Sequence, residues 1–475
     1  MKKLLSALII CTVITSLQSC GIVVIHHGTE TTAAVTDPAA TERGGETTEP
    51  QTIVVDPETP EKMRNKADEL LNGLDTLKIS GARLFVAGVD LTFLEGDGEL
   101  TALTSDRAIR IEKLAEKLDA DIAAAPFSEK ELYDKLKSAS DNGEYFADVI
   151  AVPRYLAGTL AADGLIKSLR TLPAFDYKAP YFSADSVNAF SAGHGLYAVS
   201  GEGCFEPEKI YCVYFNKTLA ASLGLDLYGL VSSGEWTLEK FADILNSTSS
   251  DTVTEKGLDL QTALYLGAGL DFTENGTDMV PRALTFGSSF ENAVRLISAV
   301  PSPLPADDPT EKFLEGGALF YVDRVSAAES MSSSDTVWGM LPMPKADRES
   351  DYSGYIAPDA TVLCVPVCNS DDRLSGDFIE AFFACSTGYI KYDHIYHYML
   401  DVLRDNGSVN CLDIILDGGN CDFVTAMKDG FPTLYANTAG AFAELVSGGL
   451  SFEEYKERED DVAEYLEKWF PVTNK

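Results

Sequence analysis

The stretch Asp148-Val-Ile-Ala-Val-Pro-Arg-Tyr-Leu-Ala-Gly-Thr-Leu-Ala-Ala-Asp-Gly-Leu-Ile-Lys-Ser-Leu169 opens with an apolar run, Val149 to Val152, that lacks polar alternation. A strand apolar on both faces belongs in a sheet covered on two sides. Upstream, Ala82-Arg-Leu-Phe-Val-Ala-Gly88 and Asp121-Ile-Ala-Ala-Ala125 read as strands of the same kind. Between them Ile111, Leu114, Ala115 and Leu118 recur at the spacing of one helix face. Ser128 followed by Glu131 is a capping box that opens a second helix through Leu136. The β-α-β-α-β order predicts a parallel sheet with helices on both faces. Pro153-Arg154-Tyr155 then occupies a strand C-terminal end, where such sheets bind ligands.

Downstream, Gly195–Ser200, Ile210–Phe215, Ala318–Val322, Val337–Met340 and Thr361–Val367 read as strands. Thr237 caps a helix that lines up Leu238, Phe241, Ala242 and Leu245. Further helices are expected over Phe290–Val300 and Asp377–Ser386. Ser451 and Glu454 form a second capping box, before a terminal helix carrying Phe452, Tyr455, Val462, Leu466 and Trp469. No internal repeat is visible. Trp236 and Trp338 read as core.

The whole chain has 475 residues, with 37 Lys+Arg against 74 Asp+Glu and a net charge of −37. That length suits two or three domains. The charge repels phosphates and no basic stripe offsets it, so nucleic acid is excluded as a partner. A polytopic membrane protein is excluded too, because only the N-terminus carries a long apolar run. There, Met1-Lys2-Lys3 precedes the apolar Leu4–Leu17, too short to span a bilayer and sized for a signal peptide. Leu17-Gln18-Ser19-Cys20 resembles a bacterial lipobox, which implies cleavage before Cys20 and lipidation of that residue. Residues 21 to about 60, rich in Thr, Pro, Glu and Gly, lack any period and predict a coil reaching roughly 30–40 Å. His26-His27 is a solvated pair within it. Past Cys20 remain Cys204, Cys212, Cys364, Cys368, Cys385, Cys411 and Cys421. They read as buried free thiols, or as free thiols with one disulfide such as Cys411 with Cys421.

Read in order, these segments resemble the family 1 extracellular solute-binding proteins, the lipoprotein receptors of sugar-type ABC importers. The resemblance rests on Asp148 to Leu169, on Leu172-Pro-Ala-Phe-Asp-Tyr-Lys-Ala-Pro-Tyr181, and on Tyr214-Phe-Asn-Lys217 through Leu223-Gly-Leu-Asp226. It continues in Tyr228-Gly-Leu-Val-Ser-Ser-Gly-Glu-Trp-Thr237, Phe313-Leu-Glu-Gly-Gly-Ala-Leu-Phe320 and Trp338-Gly-Met-Leu-Pro-Met-Pro-Lys345. It covers about 105–345 well and the remainder loosely, and 251–280 poorly. Tyr181-Phe182 departs from the Trp-Trp-Asp common in relatives, and Cys204–Lys209 looks like an insertion.

The resemblance implies an α/β, two-lobe periplasmic-binding-protein-like fold of type II, with a ligand cleft between lobes joined by several crossovers. The expected partition is 1–19 signal peptide, 20–60 lipidated cysteine and tether, 61–202 with 354–429 as lobe 1, and 203–353 with 430–475 as lobe 2. Crossings are expected near Val199–Glu206 and Tyr352–Ala360. The implied function is capture of an extracellular sugar or oligosaccharide by hinge closure, then delivery to ABC permease subunits. The protein is expected as a monomer held by lipid on the outer face of the cell membrane, with no cofactor and no metal. Sugars need flat rings for their C–H faces and bidentate groups for their hydroxyls. On that ground the candidate contacts are Arg154, Tyr155, Tyr181, Phe182, Glu202, Tyr321, Arg324 and Tyr355, with Asp323 as the partner of Arg324.

Catalytic motifs are absent. No G-x-S-x-G and no phosphate-binding P-loop occurs, and His394 and His397 have no HExxH context. The chain is therefore expected to be no enzyme. The alternative is a surface glycan-binding or glycan-acting lipoprotein not coupled to transport.

Overall fold

The structure, a computed structural model, describes residues 59–471 apart from short stretches at 77–81, 96–101, 205, 207–208, 249–252, 256–258, 277–279, 304–306, 389, 393–394, 396–401, 404 and 420–421. Before residue 59 it describes only Thr32–Ala33, paired antiparallel with Ile53–Val54 where composition predicts coil throughout. Cys20, the apolar leader, His26, His27, His394, His397 and Cys421 lie outside the described residues. The chain divides into Met1–Thr59 and Pro60–Lys475, and the second unit holds all the elements described below residue 475 and above residue 59.

Two sheets organise that unit. In chain order the strands are β1 (Ala82–Gly88), β2 (Ala120–Pro126), β3 (Val149–Pro153), β4 (Ile210–Asn216), β5 (Val253–Glu255), β6 (Phe320–Arg324), β7 (Trp338–Leu341), β8 (Tyr355–Ile356) and β9 (Thr361–Cys364). The first sheet runs β9-β3-β1-β2. Its β1, β2 and β3 are parallel, as the β-α-β-α-β pattern predicts, and β9 adds to β3 antiparallel. The second sheet runs β7-β4-β6-β5, with β8 also on β4. Every residue of β3 and of β4 is buried, which is why neither alternates polar with apolar.

The chain passes between the sheets twice in this region. Val199 still bridges to Leu363 of β9, and β4 begins at Ile210. The return lies between Ile356 of β8 and Thr361 of β9. Helix Asn406–Asp417 packs on β4 and β7 of the second sheet, although sequence order assigns 354–429 to the first lobe. Its Ser408 hydroxyl accepts from the Met340 N–H at 3.2 Å, and Lys217 pairs with Asp405 at 2.6 Å. Polar anchors of this kind are invisible to hydrophobic periodicity.

Element boundaries shift for local reasons. Pro153-Arg154-Tyr155, expected as a loop, enters helix Arg154–Ala162 directly from β3. Helix Asp372–Ala384 starts earlier than Asp377 because Asp371 caps it through the Arg373 and Leu374 N–H groups. Gly195–Ser200 keeps only Gly195–Leu196 as strand, hairpinned to Ser191–Ala192. The terminal helix is two, Phe452–Lys456 and Glu459–Trp469, and both expected capping boxes are present.

Trp236 and Trp338 are buried, and their indole N–H groups reach the Pro342 and Met331 carbonyls at 2.8 and 3.2 Å. Cys204, Cys212, Cys364, Cys368, Cys385 and Cys411 are free and buried. So Cys411, one half of the candidate disulfide, is a thiol, and burial pushes it up to about 12. A ring cluster of Tyr265, Phe272, Phe290, Phe442 and Tyr455 holds helix Leu260–Gly267 in place. Tyr265 lies 4.6 Å from Phe442 and 4.8 Å from Phe272, centroid to centroid. Phe442→Ala, read by denaturant unfolding, should cost about 3–5 kcal/mol, because the cluster cannot collapse around the lost ring.

Candidate functional site

The register of β4 builds the site. Tyr211 pairs with Arg324 of β6 on one side and with Tyr355 of β8 on the other, both antiparallel. Directly paired residues share a face of the sheet. The Tyr211 and Tyr355 rings accordingly stack at 5.4 Å with 17° between their planes. The Arg324 guanidinium lies 5.6 Å from the Tyr211 ring, and its Nε–H donates to the Tyr211 hydroxyl at 3.4 Å.

Two cavities meet at these residues. The first, of about 200 Å³, is lined by Tyr211, Arg324 and Tyr355, by Pro358 of the return crossover, and by Thr262, Thr425, Lys428 and Tyr435 among others. The second, of about 400 Å³, takes in Tyr211 and Arg324 again with Thr310, Asp323, Ser326 and Ser330. The first therefore sits where β4, β6 and β8 approach the passage to the first sheet, and the second shares its β4 and β6 wall. The segment carrying Lys428 comes close because Gly158 faces it. A Cβ on Gly158 would stand 2.8 Å from the Met427 Cα, and one on Gly430 would stand 2.2 Å from the Gly158 carbonyl oxygen. Only glycine permits that approach.

The crossovers are tied by charge. Asp359 receives Arg324 through two bonds, Nη1 to Oδ2 at 3.1 Å and Nη2 to Oδ1 at 3.0 Å. Lys209, on the outgoing crossover, reaches the same Oδ2 at 3.0 Å. Glu206 accepts from the Thr361 N–H, and from its hydroxyl at 3.1 Å.

Of the sequence candidates, the structure brings Arg324 and Tyr355 together on the first cavity. Arg154 is 2% exposed, donates its main-chain N–H to the Ala360 carbonyl at 3.0 Å, and leaves its side-chain Nε without an acceptor. It lines neither cavity. The nearby Asp185 carboxyl is raised by burial, which the Arg154 charge opposes. Tyr155 is half-buried and gives its hydroxyl to Glu129. Tyr181 and Phe182 are packed rings, 4.9 Å apart, with Phe182 also 5.2 Å from Phe383. Glu202 accepts the Gly388 N–H, and burial raises its carboxyl. Tyr321 is fully buried between Tyr214 and Phe313, its hydroxyl bonded to Asp323 and Thr310.

Strand parity explains that division. Tyr211, Val213 and Phe215 join one core cluster, and Cys212 and Tyr214 the other. On β6, Phe320 and Val322 go with the first cluster and Tyr321 with the second. Arg324 follows the first set, and Tyr321 lies on the opposite face, buried behind Thr310 and Asp323 of the second cavity's wall. Tyr211 was open to the same alternation argument, given the register. Thr262, Thr425, Lys428 and Tyr435 come from segments that carry no recognisable pattern.

No family model and no curated protein matches the sequence. Solved structures do match it in three dimensions. The cyclic alpha-maltosyl-1,6-maltose binding protein of Arthrobacter globiformis aligns over 82% of this chain and 100% of its own, with a TM-score of 0.53 at 15% identity. The sugar-binding protein MalE of Xanthomonas citri aligns over 82% and 98%, with a TM-score of 0.51 at 13% identity. The chain has the fold of the family 1 extracellular solute-binding proteins. A member from Bifidobacterium longum subsp. infantis covers 82% of the chain with 99% of its own, at a TM-score of 0.50 and 12% identity. The two-lobe architecture expected from the sequence is thus present.

The wall of the first cavity that carries Thr262 is helix Leu260–Gly267, and acids hold both its ends. Asp259 caps it through the Gln261 N–H at 3.3 Å. Beside that cap, burial and then the Asp259 charge push the Glu255 carboxyl up to about 7. Past the other end, the fully buried Asp422 accepts the Phe272 N–H at 3.2 Å and is raised by burial and by Asp271. A carboxyl raised in the folded state from 4.5 to about 7 contributes stability that is complete below 4.5 and is lost as pH climbs through about 7. The melting temperature of Glu255→Gln minus that of the parent should therefore widen steadily from about pH 5 to about pH 8. A gap independent of pH refutes this.

Proposed function

We propose that this protein is a carbohydrate receptor that hands its ligand to an importer. The observation that carries the reading is the pair of adjoining cavities sharing Tyr211 and Arg324 at the passage between two sheets. Tyr211, Tyr355 and Tyr435 supply aromatic surface and hydroxyls, and Lys428 and Arg324 supply donors. That mixture suits a ligand with apolar C–H faces and many hydroxyls. Two contiguous cavities suit an oligosaccharide better than one sugar ring. The sugar-binding proteins that share the fold support the same choice.

In this reading the lobes close on the ligand by hinge motion, and binding populates the closed state. An ABC permease then receives the sugar. The lipobox-like Leu17–Cys20 supports acylation of Cys20 and a position on the outer face of the membrane, with 21–60 as the tether. Turnover is not required anywhere in this scheme, and a glycan-acting lipoprotein is the competing outcome.

A thermal-shift screen of mono- and oligosaccharides tests the reading, because a ligand that binds only the folded state raises the melting temperature. At least one oligosaccharide should stabilise the protein and be recovered unchanged. Release of shorter sugars would replace the receptor with an enzyme. For the best sugar, Tyr211→Ala should weaken binding about 10- to 100-fold by calorimetry, while Tyr181→Ala acts mainly on stability. In cells, Cys20→Ser should move the protein from the membrane fraction to the soluble one.

A further inference from the structure

Asp359 touches both crossovers and Arg324, whose side chain lines both cavities. Its two oxygens hold the Arg324 guanidinium at 3.1 and 3.0 Å, and one of them also holds Lys209 at 3.0 Å. Lys209 precedes β4, and its carbonyl accepts the Ala357 N–H at 2.7 Å. So one carboxylate joins the outgoing passage, the returning passage and the end of β6. Asp359 itself lines neither cavity, while Arg324 lines both.

Arg324 has five N–H donors. Two go to Asp359 and one to the Tyr211 hydroxyl, which leaves two for whatever enters the cavities. The side chain keeps 30% of its surface exposed, so those donors are reachable. A bidentate carboxylate partner fixes the plane of a guanidinium. It thereby fixes the direction of the remaining donors.

We infer that Asp359 is a positioning residue that makes the cavity's arginine and the interlobe hinge share one ion-pair cluster. The inference rests on the reading of the cavities as a ligand site, and it gives that site its regulation. A ligand acceptor that draws Arg324 toward itself strains the Asp359 contact. The strain falls on 357–360 and, through Lys209, on the start of β4. Ligand contact and lobe angle then change together, without any ligand atom reaching the hinge. Charge, and not only shape, carries the link, so its removal frees the lobes even in the empty protein.

The test uses the full chain without any sugar. Nitroxides at Lys137→Cys and Leu223→Cys, one on each side of the crossovers, report the interlobe distance by double electron–electron resonance. The parent pair should give one narrow distribution. Asp359→Asn should broaden it and move its mean, Lys209→Met should do so in part, and Asp359→Glu should return it to a narrow one. Circular dichroism melting of the same variants checks that each is folded, and a folded Asp359→Asn whose distribution overlays the parent overturns the inference. Because no sugar is used, that result is separate from the carbohydrate screen: a failed screen with a broadened Asp359→Asn leaves the hinge link standing.

Discussion

The pairing of β4 with three antiparallel neighbours is the constraint on which the rest depends. It sets Tyr211 opposite Arg324 and opposite Tyr355 at once. A slip of one residue would turn every side chain of β4 over and bring Cys212 to the cavity face in place of Tyr211. The slip is resisted because both faces are committed. Val213 and Phe215 are packed into one core cluster and Cys212 and Tyr214 into the other. Site geometry is thus a by-product of core packing, and the cavity needs no separate scaffold.

The first sheet was legible from residues 82–152 because unbroken apolar runs and two helix faces leave few alternatives. The parallel order followed. The two crossings, expected near Val199–Glu206 and Tyr352–Ala360, came from the family resemblance and not from these runs. The antiparallel entry of β9 was not legible, since an apolar run carries no sign of its direction. The same limit governed the site. Arg324 and Tyr355 could be picked as candidates, but telling Tyr321 from Tyr211 requires knowing which face of a doubly buried strand meets the cavity. Sequence alternation marks a face only when the other face is wet.

The distribution of charge is also instructive. The chain has twice as many acids as bases, yet cations hold the positions that matter near the cavities. Arg324 and Lys209 converge on Asp359, and Lys217 anchors Asp405 beneath helix Asn406–Asp417. These pairs are partly buried, where screening is weaker than at the rim. Other acids cap helices or flank Leu260–Gly267, while Asp148, Glu206 and Asp377 are buried and hydrogen-bonded.

The late arrival of β9 bears on how the protein is made. Thr361 pairs with Pro153, so the first sheet gains its outermost strand only after the whole of the second sheet has been synthesised. Closing a loop of that length is slow and leaves an open edge on β3 in the meantime. A chain delivered from its N-terminus therefore carries a half-built first sheet, with the edge of β3 unpaired, until residue 361 emerges. The older lobe is then finished from its far end, by β9 on the edge of β3 and by helix Asp372–Ala384 behind it.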